Sequence, residues 1–194
     1  MPHTKTINKF CLSLFIIIYA CAIILLQPMT ASPVKVCAFT QSRGECCIEI
    51  VTNTVLFEHN SHQKLPMAST TKVITAITVL ENAELNEVVE INTNCVGIEG
   101  SSIYLKEGEK YTVEDLLYGL MLRSGNDAAV ALALHVGKNI SGFCEMMNEI
   151  CRKVGANNTS VTNPHGLNDE NNYTTAEDLA KIAAYALKNK TFKQ

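Results

Sequence analysis

The chain has 194 residues, of which 47% are apolar and 18% are charged, a composition typical of one globular domain. A formal net charge of −3 and a pI near 6.0 give no electrostatic reason to expect nucleic acid as a partner. The sequence contains no internal repeat and no low-complexity segment, which excludes a repeat array.

Residues 1–32 have the features of an export signal. Lys5 and Lys9 precede an uncharged apolar stretch at 10–26, and small residues follow it. This order is typical of a secretory signal peptide, and we expect cleavage after Ala31 because cleavage one residue later would leave a proline first in the mature chain. The apolar stretch is long for a signal peptide but shorter than the about 20 residues that span a bilayer. A retained anchor that gives membrane association is therefore the alternative.

The redox state of the cysteines is left open by the sequence. Free thiols and one or two disulfides both fit an exported protein. Cys144 and Cys151 lie on one predicted helix, about 10.5 Å apart along its axis, which is beyond disulfide reach. The spacing of cysteines and histidines does not predict a metal site. The six cysteines that follow the signal are Cys37, Cys46, Cys47, Cys95, Cys144 and Cys151.

The first elements after the signal are a predicted hairpin and a helix. Side chains alternate in 47–51 and again in 54–58, which predicts two antiparallel strands joined by a short turn. A polar loop follows at 59–67. From Thr70 to Leu80 apolar side chains recur at helical spacing, so one face of this helix is expected to be buried. Short strands are predicted beyond it at 88–91 and 102–105.

The second half of the chain is predicted to be mainly helical. A threonine three residues before an aspartate is typical of an N-terminal cap, and it marks the first and the last of these helices. The region at 157–173 is predicted to be a long polar loop, and loops of that length are usually functional or mobile. The four predicted helices begin at Thr112, Asp127, Ser141 and Thr175.

Ser69 and Lys72 form a Ser-x-x-Lys motif at the start of the helix predicted over 70–80. The spacing places a hydroxyl and an amine on one helical face, as a serine acyl-transfer enzyme with a lysine base requires. Val73 and Ile74 follow Lys72, and partial burial there would lower the pKa of the amine and make it a usable base. A solvated lysine on a helix that Ser69 caps is the alternative that the spacing leaves open.

Ser124, Gly125 and Asn126 form a second motif between two predicted helices. A tight connection there projects polar side chains into a cleft or into solvent, and glycine permits backbone geometry that other residues resist. Ser124 could relay a proton, and Asn126 could hold a substrate amide through both its donor and its acceptor. The alternative is a helix-linking turn in which Asn126 is only an N-cap.

Six separate segments match one family pattern, in the order in which the family carries them. They resemble the D-alanyl-D-alanine carboxypeptidases, the low-molecular-mass penicillin-binding proteins. The resemblance implies an α+β fold like that of β-lactamases and penicillin-binding proteins, with an antiparallel sheet and a helical subdomain. It covers 36–194, which would then be the N-terminal part of a D,D-peptidase catalytic domain. The segments are 66–72, 100–102, 107–112, 115–120, 124–129 and 163–167.

The resemblance also implies roles for four residues. Ser69 is expected to be the acyl-forming nucleophile and Lys72 its base. Ser124 is expected to join in proton transfer to the leaving D-alanine, and Asn126 to bind the substrate amide. The implied substrates are peptidoglycan stem peptides ending in D-Ala-D-Ala, and β-lactam antibiotics are implied inhibitors that acylate the same serine. His165 is interpreted as an ordinary loop residue, with a place at the rim of the cleft as the alternative, and no cofactor is implied.

One motif of the family is not found before Gln194. Family members carry Lys-Thr-Gly on a strand of the sheet, whereas Lys190 and Thr191 are followed here by phenylalanine. That motif supplies a cation for the substrate carboxylate and one oxyanion donor, and loss of one such donor typically costs about 10²–10³ in rate. We therefore expect a truncated form that lacks the C-terminal sheet strands and has little activity by itself.

Three other interpretations compete with a carboxypeptidase. A D,D-endopeptidase shares all of these motifs, and the sequence does not separate the two. A class A β-lactamase is disfavoured because Gly125 stands where that class carries aspartate. A non-catalytic remnant that binds muropeptide without turnover is the alternative from a different functional class.

Overall fold

The computed structural model of the protein describes residues 41–194. The export signal and Cys37 lie outside these residues. Within them, no helix is long and apolar enough to cross a membrane. The same part of the chain contains no cluster of three or more potential metal-ligating side chains.

Three small antiparallel sheets of two strands each form the β structure of the described residues. Strand β1 (Glu45–Ile48) pairs with β2 (Val55–His59), which confirms the predicted hairpin with slightly shifted ends. Strand β4 (Val88–Glu90) pairs with β5 (Lys110–Thr112). The third sheet joins β3 (Leu65–Pro66) to β6 (Tyr173–Thr174), and the sequence did not predict it.

Five α-helices carry the rest of the fold within residues 41–194. The cap predicted at Thr112 is a full capping box with Asp115, and Thr175 caps the last helix through the Asp178 N–H. These two caps confirm the prediction because each threonine side chain satisfies an N–H that the first turn leaves unpaired. The helices are α1 (Thr71–Asn82), α2 (Val113–Arg123), α3 (Asn126–Gly137), α4 (Ile140–Lys153) and α5 (Ala176–Ala186).

The core lies where α3 packs against α1, α2 and α4. Helix α3 is rich in alanine, so its neighbours approach closely, and every residue from Asn126 to Ala133 is buried. Of the apolar positions predicted to lie on one buried face of α1, Ile74 and Ile77 are 0–1% exposed, but burial is not confined to that face, because every residue from 74 to 79 is buried. This rigid centre fixes the N-terminal ends of α1 and α3 relative to each other.

Two predicted details are wrong. Residues 102–105 form no strand but an irregular segment whose N–H groups bond a side chain, and β5 takes the place beside β4. The cap of α4 is Asn139 rather than Ser141, because the Asn139 side chain accepts from the Gly142 N–H.

The described cysteines are free thiols. Of the two redox states that the sequence left open, these five residues therefore have the reduced one. Cys95, Cys144 and Cys151 are buried, Cys46 is half-buried and Cys47 is exposed. Burial raises the pKa of the Cys144 thiol to about 11, so it is an unreactive core side chain.

Candidate active site

Ser69 lies in a single 3₁₀ turn, Ala68–Thr70, that leads directly into α1. Ala68 has a φ of +47°, which turns the chain sharply before the helix, and Ser69 is exposed. Lys72 lies one turn later and is only 3% exposed. Its Nζ is 3.3 Å from the Ser69 Oγ, so the Ser-x-x-Lys spacing does bring the amine to the hydroxyl.

Lys72 has two further partners, and both are uncharged oxygens. Its Nζ donates to Asn126 Oδ1 at 2.7 Å and to the main-chain carbonyl of His165 at 2.9 Å. Burial lowers the pKa of the Lys72 amine below its ordinary value. The solvated lysine that the spacing left open is therefore not what the fold provides.

Ser124 and Asn126 occupy the short connection between α2 and α3. Ser124 ends α2 in the left-handed conformation, with φ +55° and ψ +33°, and its Oγ lies 3.0 Å from the Ser69 Oγ. Asn126, 4% exposed, begins α3 and donates from Nδ2 to the Glu99 carbonyl at 2.6 Å. Because a carbonyl can only accept, this bond fixes the side-chain amide with Oδ1 towards Lys72.

The His165 main chain was missed as part of this site. Asn163 closes a tight loop around it, accepting from the Gly166 N–H at 2.7 Å and donating to the Leu167 carbonyl at 3.1 Å. Burial, and then the nearby charge of Lys72, lower the pKa of the His165 imidazole to about 4. The sequence offered two signals, the length of the predicted loop and the match of 163–167 to the family pattern, but neither points to a main-chain carbonyl, which leaves no side-chain pattern.

The arrangement is suited to moving the hydroxyl proton of Ser69. A neutral amine has two N–H donors and one lone pair. In the neutral form of Lys72, two donors on Asn126 Oδ1 and the His165 carbonyl would leave the lone pair for the Ser69 hydroxyl proton. The same Oγ contacts Ser124, which gives a second route for a proton. All four predicted site residues therefore meet in one place.

Comparison with known proteins gives consistent matches. The sequence matches the family described as D-alanyl-D-alanine carboxypeptidase over residues 30–194. The D-alanyl-D-alanine carboxypeptidase DacF of Bacillus subtilis is 34% identical over 153 residues, which are 76% of this chain and 39% of that protein.

Solved structures agree with the sequence comparison. A D-alanyl-D-alanine carboxypeptidase from Mycobacterium tuberculosis has a TM-score of 0.77 at 30% identity, over 86% of this chain and 62% of that one. Penicillin binding protein 5 from Haemophilus influenzae has a TM-score of 0.73 at 31% identity, over 77% of this chain and 46% of that one. These likenesses confirm the predicted α+β fold. The chain spans 39% of the curated relative and 46% and 62% of the two solved chains.

Proposed function

Because the chain belongs to the D-alanyl-D-alanine carboxypeptidase family, we propose that it carries the acylating centre of a serine-type D,D-carboxypeptidase. The proposed reaction removes the terminal D-alanine of a peptidoglycan stem peptide through an acyl-enzyme on Ser69. The observation that supports this most directly is the Lys72 amine, buried and 3.3 Å from the Ser69 hydroxyl.

The proposed chemistry assigns one task to each side chain. Lys72 takes the Ser69 proton as the Oγ attacks the carbonyl carbon of the penultimate D-alanine. Ser124, 3.0 Å from that Oγ, passes its hydroxyl proton to the amine of the leaving D-alanine and is reprotonated by the proton that Lys72 took. Asn126 orients the amide of the substrate. Water then hydrolyses the ester and restores the Ser69 hydroxyl.

The proposed roles are limited to residues that the chain contains. No Lys-Thr-Gly occurs in the 194 residues, and the chain spans 39% of the relative DacF. We therefore assign to these residues the nucleophile, its base and the proton relay, and we leave the carboxylate-binding cation unassigned. β-lactams, whose strained amide offers the same kind of carbonyl, are the proposed inhibitors.

Labelled penicillin tests the proposal on the purified chain. We expect covalent label on the wild type and none on Ser69→Ala, read by gel fluorescence and by intact mass. Ser141→Ala is the matched control, because Ser141 is an exposed serine on α4 away from the site. Label that survives Ser69→Ala would contradict the proposal, and so would the absence of label both on this chain and on a chain lengthened to include a Lys-Thr-Gly segment.

Export is a separate part of the proposal. Peptidoglycan lies outside the cytoplasmic membrane, and residues 1–32 carry a positive flank, an apolar stretch and small residues. We propose that the signal directs the chain to the cell envelope and is removed after Ala31. N-terminal sequencing of the protein from cells should then begin at Ser32. A chain that still contains Lys5 and remains with the membrane would instead support a retained anchor.

A further inference from the structure

Asp127 is a buried carboxylate, 1% exposed, that the proposed chemistry does not use. It follows Asn126 directly at the start of α3, yet it faces a different set of partners. Its oxygens accept one hydroxyl and three main-chain N–H groups. These donors are Ser102 Oγ at 2.6 Å, Ile103 N and Leu105 N at 3.1 Å, and Ala128 N at 2.9 Å.

The charge of Asp127 is stabilised by these dipoles. Burial by itself would raise the pKa of this carboxyl, but the hydrogen bonds from Ser102, Ile103 and Leu105 outweigh it, and the pKa is lowered. The side chain is therefore ionised at neutral pH. A buried anion held by main-chain N–H groups fixes the segment that supplies them.

That segment, residues 99–105, is held in an unfavourable backbone conformation. Tyr104 has a φ of +62° although its side chain is 82% exposed and gains little from packing. Such geometry is unfavourable for a residue with a side chain and persists only where the surroundings enforce it. Here the Ser102 hydroxyl, itself bonded to Asp127, accepts the Tyr104 N–H at 2.8 Å.

The same segment also contacts the active site, because two of its carbonyl oxygens accept hydrogen bonds from Asn126. Glu99 O accepts from Asn126 Nδ2 at 2.6 Å, and Ser101 O accepts the Asn126 main-chain N–H at 2.7 Å. A Cβ on Gly100 would lie 2.7 Å from that Nδ2, so the close approach requires glycine there. The 99–105 segment thus touches Asp127 with its N–H groups and Asn126 with its oxygens.

We infer that Asp127 is a positioning residue for the acylation of Ser69. Its carboxylate holds the 99–105 segment so that the Glu99 carbonyl sets the Asn126 amide, with Oδ1 on the Lys72 Nζ. This inference rests on the proposed function for its effect on rate. The structural link from Asp127 to Asn126 can be measured without any reaction.

Asp127→Asn is the first test. An amide offers one acceptor oxygen instead of two, and its NH₂ would face an N–H or hydroxyl donor. We expect the Ile103 and Leu105 N–H groups to lose protection from hydrogen exchange. The Asn126 side-chain NH₂ signals should also move in ¹⁵N–¹H spectra, and acylation of Ser69 by labelled penicillin should slow about 10-fold or more.

Asp115→Asn is the matched control. Asp115 is also a carboxylate in the first turn of a helix, but its partner Thr112 lies in the same cap. Asp115→Asn should lower the free energy of unfolding without shifting the Asn126 signals or changing the acylation rate. If Asp127→Asn does not fold, Ser102→Ala replaces it, because this variant breaks the link between Asp127 and Tyr104 and keeps the buried charge. Its effects should have the same direction.

A double-mutant cycle separates positioning from a general loss of packing. Asp127→Asn added to Asn126→Ala should slow acylation no further than Asn126→Ala alone, because Asp127 acts through Asn126. Additive losses would overturn the inference, and so would Asn126 signals that stay unchanged in Asp127→Asn. A wild type that takes no label while the Asn126 signals move would count against the proposed function only.

Discussion

Gly166→Ala is the substitution for which the structure gives the sharpest expectation. Gly166 has a φ of +85°, and a Cβ built there would lie 1.8 Å from the Ala68 carbonyl oxygen and 2.5 Å from the Ala68 carbonyl carbon. Both are main-chain atoms of the turn that carries Ser69, so no side-chain rotation relieves the overlap. Ordinary contact begins at 3.4 Å, and the two segments must therefore separate by up to the difference, 1.6 Å.

That separation acts on the base of the proposed reaction. The residue before Gly166 is His165, whose carbonyl accepts from Lys72 Nζ at 2.9 Å, so a shift of this size breaks the bond and frees the amine. A misplacement of about 1 Å costs about 10²-fold in rate. The positive φ adds a loss of about 1–3 kcal/mol in the free energy of unfolding.

The assay is the rate of Ser69 labelling by fluorescent penicillin, with urea unfolding as the measure of stability. Gly108→Ala is the control, because Gly108 has a similar φ of +82° but a Cβ there would meet nothing within 4 Å. It should lose comparable stability and label at the wild-type rate. If Gly166→Ala labels as fast as Gly108→Ala, contact between the 163–167 loop and the Ser69 turn does not position the base.

Three further predictions use the same two measurements. The rate of labelling should rise with pH as Lys72 loses its proton, and it should level off below pH 10.5 because burial lowers this pKa from 10.5. The free energy of unfolding should rise in the same pH window, since the unfolded chain binds more protons there than the folded chain. Lys72→Arg should abolish the rise in the labelling rate, and a flat wild-type profile would refute the role of the amine. Thr112→Ala should lower the free energy of unfolding by about 1 kcal/mol because it opens the α2 cap. Thr93→Ala, at an exposed position, should lower it by less than about 0.5 kcal/mol. Equal losses in the two variants would contradict a stabilising role for the cap. Tyr104→Gly should leave the free energy of unfolding unchanged or raise it by up to about 1 kcal/mol, because glycine tolerates the left-handed conformation of this residue. Tyr118→Gly within α2 should lower the free energy of unfolding. If Tyr104→Gly lowers it as much as Tyr118→Gly, no strain is relieved at Tyr104.

The sequence predicted those parts of the site that depend on local spacing. One helical turn brings Lys72 to Ser69, and the threonine–aspartate pairs do cap α2 and α5. These features need only neighbouring residues, so a local pattern contains them. The order of motifs then predicted the family, which the family match over residues 30–194 confirms.

The missed parts depend on main-chain groups and distant partners. The sequence predicts a short strand at 102–105, but a buried carboxylate more than 20 positions away accepts the N–H groups of Ile103 and Leu105. The two-residue strands β3 and β6 carry no periodicity that could be recognised. For the same reason the carbonyls of Glu99 and His165 could not be foreseen as partners of the site.

The short pairing of β3 with β6, together with a hydrogen bond from Thr75 Oγ1 to the Pro164 carbonyl at 2.6 Å, holds the 163–167 loop beside the Ser69 turn and α1. Strand β3 ends two residues before Ala68, and β6 ends the segment that carries His165. Lys72 reaches partners 54 and 93 positions away in the chain, so it needs both the packed α1–α3 pair and this pairing to meet them together. A change that opens β3 from β6 and also removes the bond from Thr75 Oγ1 to the Pro164 carbonyl should therefore free the His165 carbonyl while leaving the Asn126 contact in place, because Asn126 is held by the core and by the 99–105 segment instead.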